Sequence, residues 1–526
     1  MEALADRMAG LLLVGFDDIA VSGATAHFIA GAAGAILFRR NIAGSGQVSA
    51  LVGELQAVAR AAGRPPLLIA VDQEGGTVER LGEAGTPPPS AMALGAADDP
   101  QLTRSVYKMM ADELHALGMN VDLAPVADVL SDAGSPLGLR TFGSDPESVA
   151  RHVGAAVEGL HDGGVAAVAK HFPGLGGAAA DSHDVLPSLD RGLDDFRAFE
   201  LKPFRAAIAA GVDMVMSAHL AVPRLDSSGD PATLSRAVLT GLLRDELGFG
   251  GIVCTDDLEM QAIAARVPLP EAAVRAVAAG ADLVLFSRAL DAARAAYDGL
   301  RRAVLDGALD PAAIEASLER IARLRARFGS TVEPRAQLGD DAAEHIALVR
   351  EAARRAVAII RTSSGALPLT LTPGARVFIV NFIEGGAKGS SAARVHSPIG
   401  AALAAAGARV TEQLRDLEPA GHEFKQLLMA AGSADVLVAV TRRAFRHPLQ
   451  AQAVSDLALF GKPLIVIATL EPYDATVVPE HAAVIASFGD GNAQLEAAAD
   501  VLLGKRVATG RMPVTLASVA GAAGTS

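Results

Sequence analysis

Side chains that could do acid–base or binding chemistry follow short apolar runs at six places in this sequence. The carboxylates among them can accept hydrogen bonds from hydroxyl groups, and the arginine and the lysine can donate to hydroxyl oxygens. The histidines can give or take a proton near neutral pH. A pocket built from these residue types suits a ligand rich in hydroxyl groups. The candidates are Asp72, Arg140, Lys170, His171, Asp181, His183, His219, Asp256 and Asp257.

A single charged residue after an apolar run has an ordinary structural explanation, because such residues often cap helices or anchor loops. His219 alone could be a core histidine. The number of candidates expected at one rim favours a ligand pocket over these explanations. A metal site is the competing hypothesis, since Asp181 and His183 are spaced as ligands could be. Lys170 beside His171 argues against a nearby cation, so we expect no metal and no other cofactor.

The elements that must position these side chains alternate along the first 330 residues. Eight apolar runs are separated by helical patterns, and one helix is signalled by Asp145 as a cap followed by Pro146. Continuous Val, Ile, Leu and Ala runs are typical of parallel strands buried on both faces. This alternation predicts a (β/α)8 TIM barrel, whose strands deliver active-site residues at their carboxyl ends. A doubly wound sheet is the alternative. The runs lie at 11–16, 35–39, 66–72, 120–129, 166–172, 213–219, 251–257 and 282–287.

The rest of the chain predicts a second, smaller domain. Residues 1–330 form the predicted catalytic barrel, 331–344 a polar linker, and 345–526 a C-terminal α/β sandwich domain. Four apolar runs alternate there with alanine-rich helical patterns. This half shows no cluster of titratable residues, so we expect it to be a packing domain. Its predicted strands are at 377–382, 436–441, 464–469 and 483–488.

Composition and charge limit the classes of partner. The net charge is −14 and there is no basic block, so nucleic acid and anionic membranes are poor candidates. There is no Trp and there are 3 Tyr, so a sugar would be held mainly by polar contacts. A single cysteine, Cys254, fits a reducing compartment. The first residues lack the pattern of a secretory leader, and no stretch approaches the ~20 apolar residues of a membrane helix. We therefore expect a cytoplasmic protein that acts on a small carbohydrate.

The motifs together resemble a known family. The sequence is similar to family 3 glycoside hydrolases, and more narrowly to their two-domain β-N-acetylglucosaminidase (β-N-acetylhexosaminidase) branch. The similarity runs in order from about residue 10 to 290, and the stretch 489–516 resembles the smaller second domain. The segments that carry it are VDQEGGTVERL, NVDLAPVADV, GLRTFGSDP, AKHFPGLGGAAADSH, MSAHLAVPRLD, PATLS and GFGGIVCTDDLEM.

The resemblance implies a role for each candidate. Asp256 is implied as the nucleophile and His183 as the general acid/base, with Asp181 hydrogen-bonded to it. His219 is implied to lie close to the same pocket. The residues implied to bind the hydroxyl groups of the cleaved sugar are Asp72, Arg140, Lys170 and His171.

The implied chemistry is physically consistent. Retaining glycosidases normally use two carboxyl groups, one as nucleophile and one as acid/base. A histidine with an unperturbed pKa of ~6.5 can replace the second, because it both gives and takes a proton near neutrality. Asp181 would fix the tautomer of His183, as the aspartate does in Ser-His-Asp sites. Glycines and alanines between 174 and 181 predict a loop that moves the acid to the substrate.

Two departures from the family pattern leave other functions open. Leu175 stands where relatives usually have a second histidine, and Thr77 stands where they usually have an arginine. The expected reaction is hydrolysis of terminal β-linked N-acetylglucosamine in peptidoglycan fragments or chitooligosaccharides. Phosphorolysis is an alternative, because a neutral histidine does not repel phosphate as a carboxylate would. A β-glucosidase or xylosidase and a non-catalytic sugar-binding protein are further alternatives.

Overall fold

The computed structural model describes residues 1–182, 184–288, 290–329, 341–362, 366–384 and 396–516. Contacts between Cα atoms divide the chain into two compact units. The first unit is Met1–Pro88 with Asp99–Ile346, and the second is Pro89–Asp98 with Ala347–Ser526. Most of the predicted linker lies outside the described residues, at 331–340. The boundaries at 330 and 345 therefore stay predictions.

The first unit contains a closed barrel of eight parallel strands, which confirms the predicted TIM-barrel class. Neighbours in the chain are neighbours in the barrel, and the last strand pairs with the first. The strands are β1 (Leu12–Val14), β2 (Gly34–Leu37), β3 (Leu68–Val71), β4 (Val121–Asp122), β5 (Ala166–Phe172), β6 (Met214–Ser217), β7 (Ile252–Asp257) and β8 (Leu283–Phe286).

Every predicted apolar run of the barrel overlaps one of these strands, and only β2 begins one residue before its run. All residues of β5, β6 and β8 are buried, as expected where helices cover the outside and side chains fill the inside. β4 is much shorter than the run at 120–129 that predicted it. Pro125 has no N–H to donate, so the ladder cannot continue regularly through this run. It resumes only as an isolated bridge between Val126 and Lys170.

The helices follow from capping and amphipathic patterns. The predicted cap is present, because the Asp145 side chain accepts a hydrogen bond from the Ser148 N–H at 2.9 Å and Pro146 begins the helix. The α-helices of the described residues are α1 (Glu2–Ala5), α2 (Gly23–Gly31), α3 (Ser45–Ala61), α4 (Ala91–Ala97), α5 (Pro100–Ala116), α6 (Pro146–Asp162), α7 (Leu193–Ala198), α8 (Leu201–Ala209), α9 (Gln261–Ala264), α10 (Leu269–Ala279), α11 (Leu290–Leu305), α12 (Pro311–Phe328), α13 (Ala342–Ala356), α14 (Pro398–Ala405), α15 (Gly421–Gly432), α16 (Pro448–Ala458) and α17 (Asn492–Leu502).

Shorter and wider helical turns complete the first unit. A π-helix spans Ala237–Glu246 between β6 and β7, where the sequence predicted an ordinary helix. 3-10 turns lie at Met8–Leu11, Arg39–Asn41, Gly82–Ala84, Gly138–Arg140 and Ala232–Leu234, and the second unit has one at Pro472–Thr476.

The second unit is a six-stranded mixed sheet with apolar clusters on both faces. The strand order is β11-β10-β12-β13-β14-β9, and only β9 runs antiparallel, beside β14. Four strands were predicted, and the two edge strands were not. β11 has the polar sequence RVTEQLRD and is mostly half-buried, so it lacks a continuous apolar run. The strands are β9 (Ala358–Arg361), β10 (Arg376–Ile383), β11 (Arg409–Asp416), β12 (Val436–Thr441), β13 (Leu464–Ala468) and β14 (Ala483–Ala486).

Helix α4 belongs to the second unit, although it lies early in the chain. The Ser90 hydroxyl accepts from the Ala93 N–H at 3.1 Å and donates to the Phe488 carbonyl at 2.7 Å. At the other end, Arg511 donates its N–H to the Ala96 carbonyl at 2.8 Å. The polypeptide therefore enters the second unit after residue 88, returns to the first at residue 99, and enters it again near residue 347.

Within the ranges that the structure describes, no helix has the length and apolar character needed to cross a membrane.

Candidate active site

The candidate site lies at the carboxyl ends of the barrel strands, and two irregular strands shape it. In β5 the register with β6 shifts between Lys170 and Phe172, and in β7 the register with β8 shifts between Cys254 and Asp257. Successive side chains of a regular strand point to opposite faces, and a bulge redirects them. As a result two adjacent pairs of polar side chains, Lys170 with His171 and Asp256 with Asp257, line one cavity.

This cavity has a volume of about 650 Å³, within the usual range for small-molecule sites. It collects most of the predicted site residues from five different loops and strand ends. His219 is not among the lining residues in the described part of the chain, and His183 lies outside the described residues. The predicted site residues that line the cavity are Asp72, Arg140, Lys170, His171, Asp181 and Asp256, and Asp257 lines it beside Asp256.

A buried ion network forms one wall of the cavity. The Lys170 ammonium group lies 2.7 Å from the Asp72 carboxylate and 2.6 Å from the Glu74 carboxylate. Arg140 donates two parallel hydrogen bonds to Glu74, at 2.7 and 2.9 Å. The side chains of Lys170 and Glu74 are each only 2% exposed. Such charges are stable in a protein interior only when they are paired in good geometry, and here two carboxylates face two cations.

The charge states of this network follow from its contacts. Burial raises the pKa of Glu74, but the charges of Arg140 and Lys170 outweigh burial and hold that pKa below its ordinary value. Burial lowers the pKa of Lys170, yet the Asp72 and Glu74 carboxylates raise it above its ordinary value. Glu74, Arg140 and Lys170 are therefore charged near neutral pH. Asp72 and Arg140 both combine access to the cavity with a fixed orientation.

Glu74 is a member of the site that was not among the candidates from the sequence. Its partners are 66 positions away at Arg140 and also at Lys170, so the pairing is visible only in the folded chain. One signal was present, because Asp72 and Glu74 are two residues apart in an extended segment and therefore share a face.

His171 is oriented by a second aspartate that was not predicted. The Asp128 carboxylate is fully buried and lies 2.7 Å from His171 Nδ1. It also accepts the backbone N–H of His171 at 3.1 Å and that of Leu175 at 2.6 Å. A carboxylate on Nδ1 leaves Nε2 facing the cavity, where it lies 3.4 Å from an Arg140 nitrogen. Leu175, one of the two departures from the family pattern, presents an apolar side chain to the same cavity.

Asp256 is held as a carboxylate. Its Oδ1 accepts the N–H of Asp257 at 2.8 Å. Burial raises the pKa of Asp256, but other influences outweigh burial and lower this pKa below its ordinary value. In order of size they are the charge of His219, the charge of His171, the hydrogen bond from the Asp257 N–H and the charge of Lys170. Asp256 is therefore ionised near neutral pH and open to the cavity, which are the two properties a carboxylate nucleophile needs.

The neighbouring Asp257 ties β7 to the end of β8. Its carboxylate accepts the Ser287 N–H at 3.2 Å and the Glu259 N–H at 3.0 Å, and it also accepts from the Ser287 hydroxyl. Burial is the main reason that the pKa of Asp257 is raised to about 6. Asp257 is thus a cross-strand anchor next to Asp256, and not simply a helix cap.

The loop after β5 brings Asp181 to the cavity. Asp181 and Ser182 both line it, and Ser182 is 5% exposed. The Asp181 carbonyl accepts the N–H groups of Asp184 at 3.1 Å and Val185 at 3.0 Å, which fixes the backbone at Asp181. The predicted pairing of Asp181 with His183 stays a prediction.

Arg80 and Phe38 also line the cavity and were not predicted. The Arg80 Nε is buried and has no hydrogen-bond partner among the described residues, and the guanidinium carbon lies 5.9 Å from the centre of the Phe38 ring. A buried donor without an acceptor is unfavourable, so a ligand oxygen at this position would be stabilised. Arg80 is therefore an additional candidate for sugar binding, eight positions after Asp72 in the same motif.

Asp122 lies fully buried beneath the ion network. Its Oδ1 accepts the Gln73 N–H at 3.0 Å, and its Oδ2 has no partner in the described ranges. Burial raises the pKa of Asp122 well above its ordinary value. The negative charges of Asp72 and Glu74 also raise this pKa, whereas the charge of Lys170 lowers it. Asp122 therefore stays protonated to higher pH than an ordinary aspartic acid.

We expect Asp122→Asn to change how stability depends on pH. Since the folded-state pKa is raised, the stabilisation from Asp122 is fully present below its unfolded pKa of ~3.9 and is lost as pH rises toward the folded value. The amide cannot ionise, so the variant should gain stability relative to wild type as pH rises, by at most ~1.4 kcal/mol per pH unit. Urea unfolding at pH 4.5 and 7.5 measures this difference. The matched control is Asp306→Asn, at an exposed position. If the free energy of unfolding of Asp122→Asn depends on pH as that of the wild type does, the raised pKa of Asp122 is contradicted.

Comparison with known proteins assigns the chain to a family. The sequence model of the glycosyl hydrolase family 3 N-terminal domain matches residues 4–324, more than half of the chain. The chain is a member of glycosyl hydrolase family 3. The family recognised from the sequence motifs is therefore confirmed.

Three family 3 relatives illustrate the similarity. The β-hexosaminidase of Idiomarina loihiensis is 39% identical over 256 residues, which are 48% of this chain and 75% of that protein. A Cellulomonas fimi protein named β-N-acetylglucosaminidase/β-glucosidase is 31% identical over 489 residues, 85% of this chain and 83% of that protein. The solved structure of a family 3 β-N-acetylglucosaminidase from Paenibacillus sp. str. FPU-7 has a TM-score of 0.90 and 35% identity, and covers 98% of this chain and 99% of its own.

Proposed function

We propose that this family 3 protein hydrolyses the glycosidic bond of a terminal, β-linked N-acetylglucosamine and releases the sugar with retained configuration. The observation that carries the proposal is the placement of Asp256 on the bulge of β7, as a carboxylate that opens to a polar cavity lined also by Asp181. The names of the similar β-hexosaminidases and β-N-acetylglucosaminidase support the same reaction. Peptidoglycan fragments and chitooligosaccharides are the proposed substrate classes, and the cytoplasm is the proposed location.

The cavity wall supports the binding role. The Asp72 carboxylate is fixed by Lys170 and can accept hydrogen bonds from sugar hydroxyls. Arg140 can donate to the oxygens of the same hydroxyls, and the Nε2 of a neutral His171 can accept from them, since each side chain is oriented by a buried carboxylate on its far side. Preorganised groups of this kind lose little rotational freedom when a ligand binds. We propose that they hold the sugar whose anomeric carbon lies against Asp256.

The proposed reaction has two steps. Asp256 attacks the anomeric carbon while the bond to the leaving oxygen breaks, and protonated His183 gives that oxygen its proton. Neutral His183 then takes a proton from water as the water oxygen attacks the anomeric carbon and the bond to Asp256 breaks. Asp181 would hold the ring of His183 and stabilise its charged form. The backbone turn at Asp181 supports this placement by fixing the start of the loop beside the cavity.

Product analysis tests the reaction class. The full chain is incubated with a synthetic β-N-acetylglucosaminide, with and without inorganic phosphate, and the products are followed by proton NMR. We expect free N-acetylglucosamine that appears first as the β-anomer, at a rate that phosphate does not change. A sugar 1-phosphate would support the phosphorylase alternative, and no turnover of any N-acetylglucosaminide would support the sugar-binding alternative.

We expect His183→Ala to slow the reaction in a way that depends on the leaving group. General acid catalysis contributes about 10²–10⁴-fold to rate, and it matters most when the departing oxygen is strongly basic. The variant should therefore lose about that factor in kcat/KM with alkyl glycosides and much less with dinitrophenyl glycosides. Equal losses with both substrates would contradict the acid role. His422→Ala, in the second unit, serves as the matched control.

A further inference from the structure

His219 is buried beside the nucleophile and engaged on both ring nitrogens. It lies two residues after β6 and is 1% exposed. Its Nε2 is 2.9 Å from the Asp257 carbonyl oxygen, and its Nδ1 is 2.8 Å from the Thr233 hydroxyl oxygen. The sugar-binding role of His219 stays a prediction of the sequence, and this geometry supports a different one.

The hydrogen-bond pattern assigns the protons on this ring. A carbonyl oxygen can only accept, so Nε2 carries a proton that it donates to Asp257. The Thr233 hydroxyl has one proton, and its oxygen lies 3.0 Å from the Ala218 carbonyl and 2.9 Å from the Ser217 hydroxyl. If Thr233 gives its proton to the Ala218 carbonyl, its oxygen accepts from Ser217 and from His219. Nδ1 is then also a donor, and these four contacts fit His219 as an imidazolium.

The His219 ring is connected to the Asp256 carboxylate by two hydrogen bonds that both involve the backbone of Asp257. Asp257 receives the His219 proton at its carbonyl and donates its own N–H to Asp256 Oδ1 at 2.8 Å. The charge of His219 is the strongest of the influences that lower the pKa of Asp256. Titratable groups on or just after three of the barrel strands face this carboxylate. They are Lys170 and His171 on β5, His219 after β6, and Cys254 and Asp257 on β7.

We propose that His219 is a positioning residue for Asp256: as an imidazolium it fixes the Asp257 carbonyl, and so the bulge that aims the nucleophile, and it places a positive charge beside the nucleophilic carboxylate. The proposal rests on the proposed role of Asp256. A nearby cation stabilises the free carboxylate, so it favours the second step, in which the bond between the anomeric carbon and Asp256 breaks and its electron pair returns to the carboxylate. Loss of the charge should therefore let the glycosyl-enzyme accumulate.

Two substitutions separate the two parts of this role. His219→Gln keeps an N–H donor without the charge, and His219→Leu removes both. Losing a hydrogen bond from a charged group corresponds to about 10–100-fold in rate, so we expect that loss of kcat in the leucine variant and a smaller loss in the glutamine variant. KM should not rise in either variant, because the ring is not among the described residues that line the cavity, and KM should fall with kcat where the glycosyl-enzyme accumulates. The acid limb of kcat/KM should move to higher pH in both variants, because the cation beside Asp256 is gone. A purely structural residue would not move that limb.

The measurements are steady-state pH profiles and a pre-steady-state burst on a dinitrophenyl N-acetylglucosaminide. Thr233→Val is the third variant, since it keeps the histidine but removes the acceptor of its Nδ1, and it should move the acid limb in the same direction. An increase of KM by more than about 10-fold with unchanged kcat would overturn the proposal and show substrate contact instead. An unmoved acid limb in all three variants would overturn it as well.

Failure of the proposed function is distinguishable from failure of this inference. A ¹⁵N spectrum of the full chain reports the protonation of the His219 ring by comparison with His219→Gln, and it requires no turnover. Two protonated ring nitrogens at pH 7 are expected. A neutral ring would overturn the inference even if hydrolysis is confirmed. If no hydrolysis is found, the spectrum still reports whether the His219 ring is protonated.

Discussion

Asp256→Asn should abolish turnover of β-N-acetylglucosaminides while leaving the fold intact. The amide keeps the size of the side chain and can still accept the Asp257 N–H, but it cannot form a stable ester with the sugar. Removing the nucleophile of a group-transfer enzyme typically costs about 10⁴–10⁶-fold in kcat. We expect a loss in this range, measured with a dinitrophenyl substrate whose leaving group needs no acid. A mechanism-based fluorinated sugar should label the wild type at the peptide that contains Asp256 and leave the variant unlabelled.

The control for this experiment is an aspartate outside the cavity. Asp306 is exposed at the end of α11, and Asp306→Asn should keep full activity. The melting temperatures of both variants should lie close to that of the wild type. Residual activity above about one hundredth of wild type in Asp256→Asn, with a chromatographically pure sample, would remove Asp256 from its proposed role.

Lys170→Met should give the largest loss of stability among single substitutions at the site. The side chain is buried between Asp72 and Glu74, and methionine fills similar space without the charge. Removing one partner of a buried ion network costs about 3–5 kcal/mol, because the remaining charges are left uncompensated. The two carboxylates would face each other with Arg140 as the single remaining cation of the network. We expect the thermal transition to fall by several degrees and kcat/KM to fall with it.

A matched control comes from an exposed lysine. Lys108 on α5 pairs with Asp112 at 2.6 Å, but its side chain is 47% exposed. Lys108→Met should change the free energy of unfolding by no more than about 0.5 kcal/mol. Differential scanning calorimetry of the full chain at pH 7 compares the two variants. If both shift the transition equally, the network around Lys170 does not have the importance assigned to it.

Much of the barrel could be predicted from local patterns, because its strands are continuous apolar runs. Each of the eight runs overlaps a strand, and the predicted cap at Asp145 is present. Strand length was harder to predict, since it depends on pairing partners. β4 ends after two residues because the following run contains Pro125. The edge strand β11 was missed because half-buried edge strands carry polar residues that give no apolar run.

Only some of the site residues could be predicted from the sequence, and there is a physical reason why the others could not. Residues that point directly into the cavity follow the strand ends, so the barrel pattern and the family motifs locate them. Residues that orient them act through contacts distant in sequence, such as Asp128 with His171, 43 positions apart. The bulges in β5 and β7 arise from register between strands, which local sequence does not specify. His183 lies outside the described residues, so its role depends on experiment.

Two separate segments of the polypeptide, 89–98 and 347–526, form the second unit, and this has a consequence for protein engineering. Helix α4 lies between β3, which leads to Asp72, and α5, yet its apolar side chains are buried as part of the other unit. A shortened protein that stops after Ile346 would keep this helix but lose residues 347–526, including the carbonyl of Phe488 that its cap contacts. Exposed apolar surface of this kind promotes aggregation. A soluble minimal enzyme would therefore require polar substitutions at Met92 and Leu94, or replacement of residues 89–98 by a short turn.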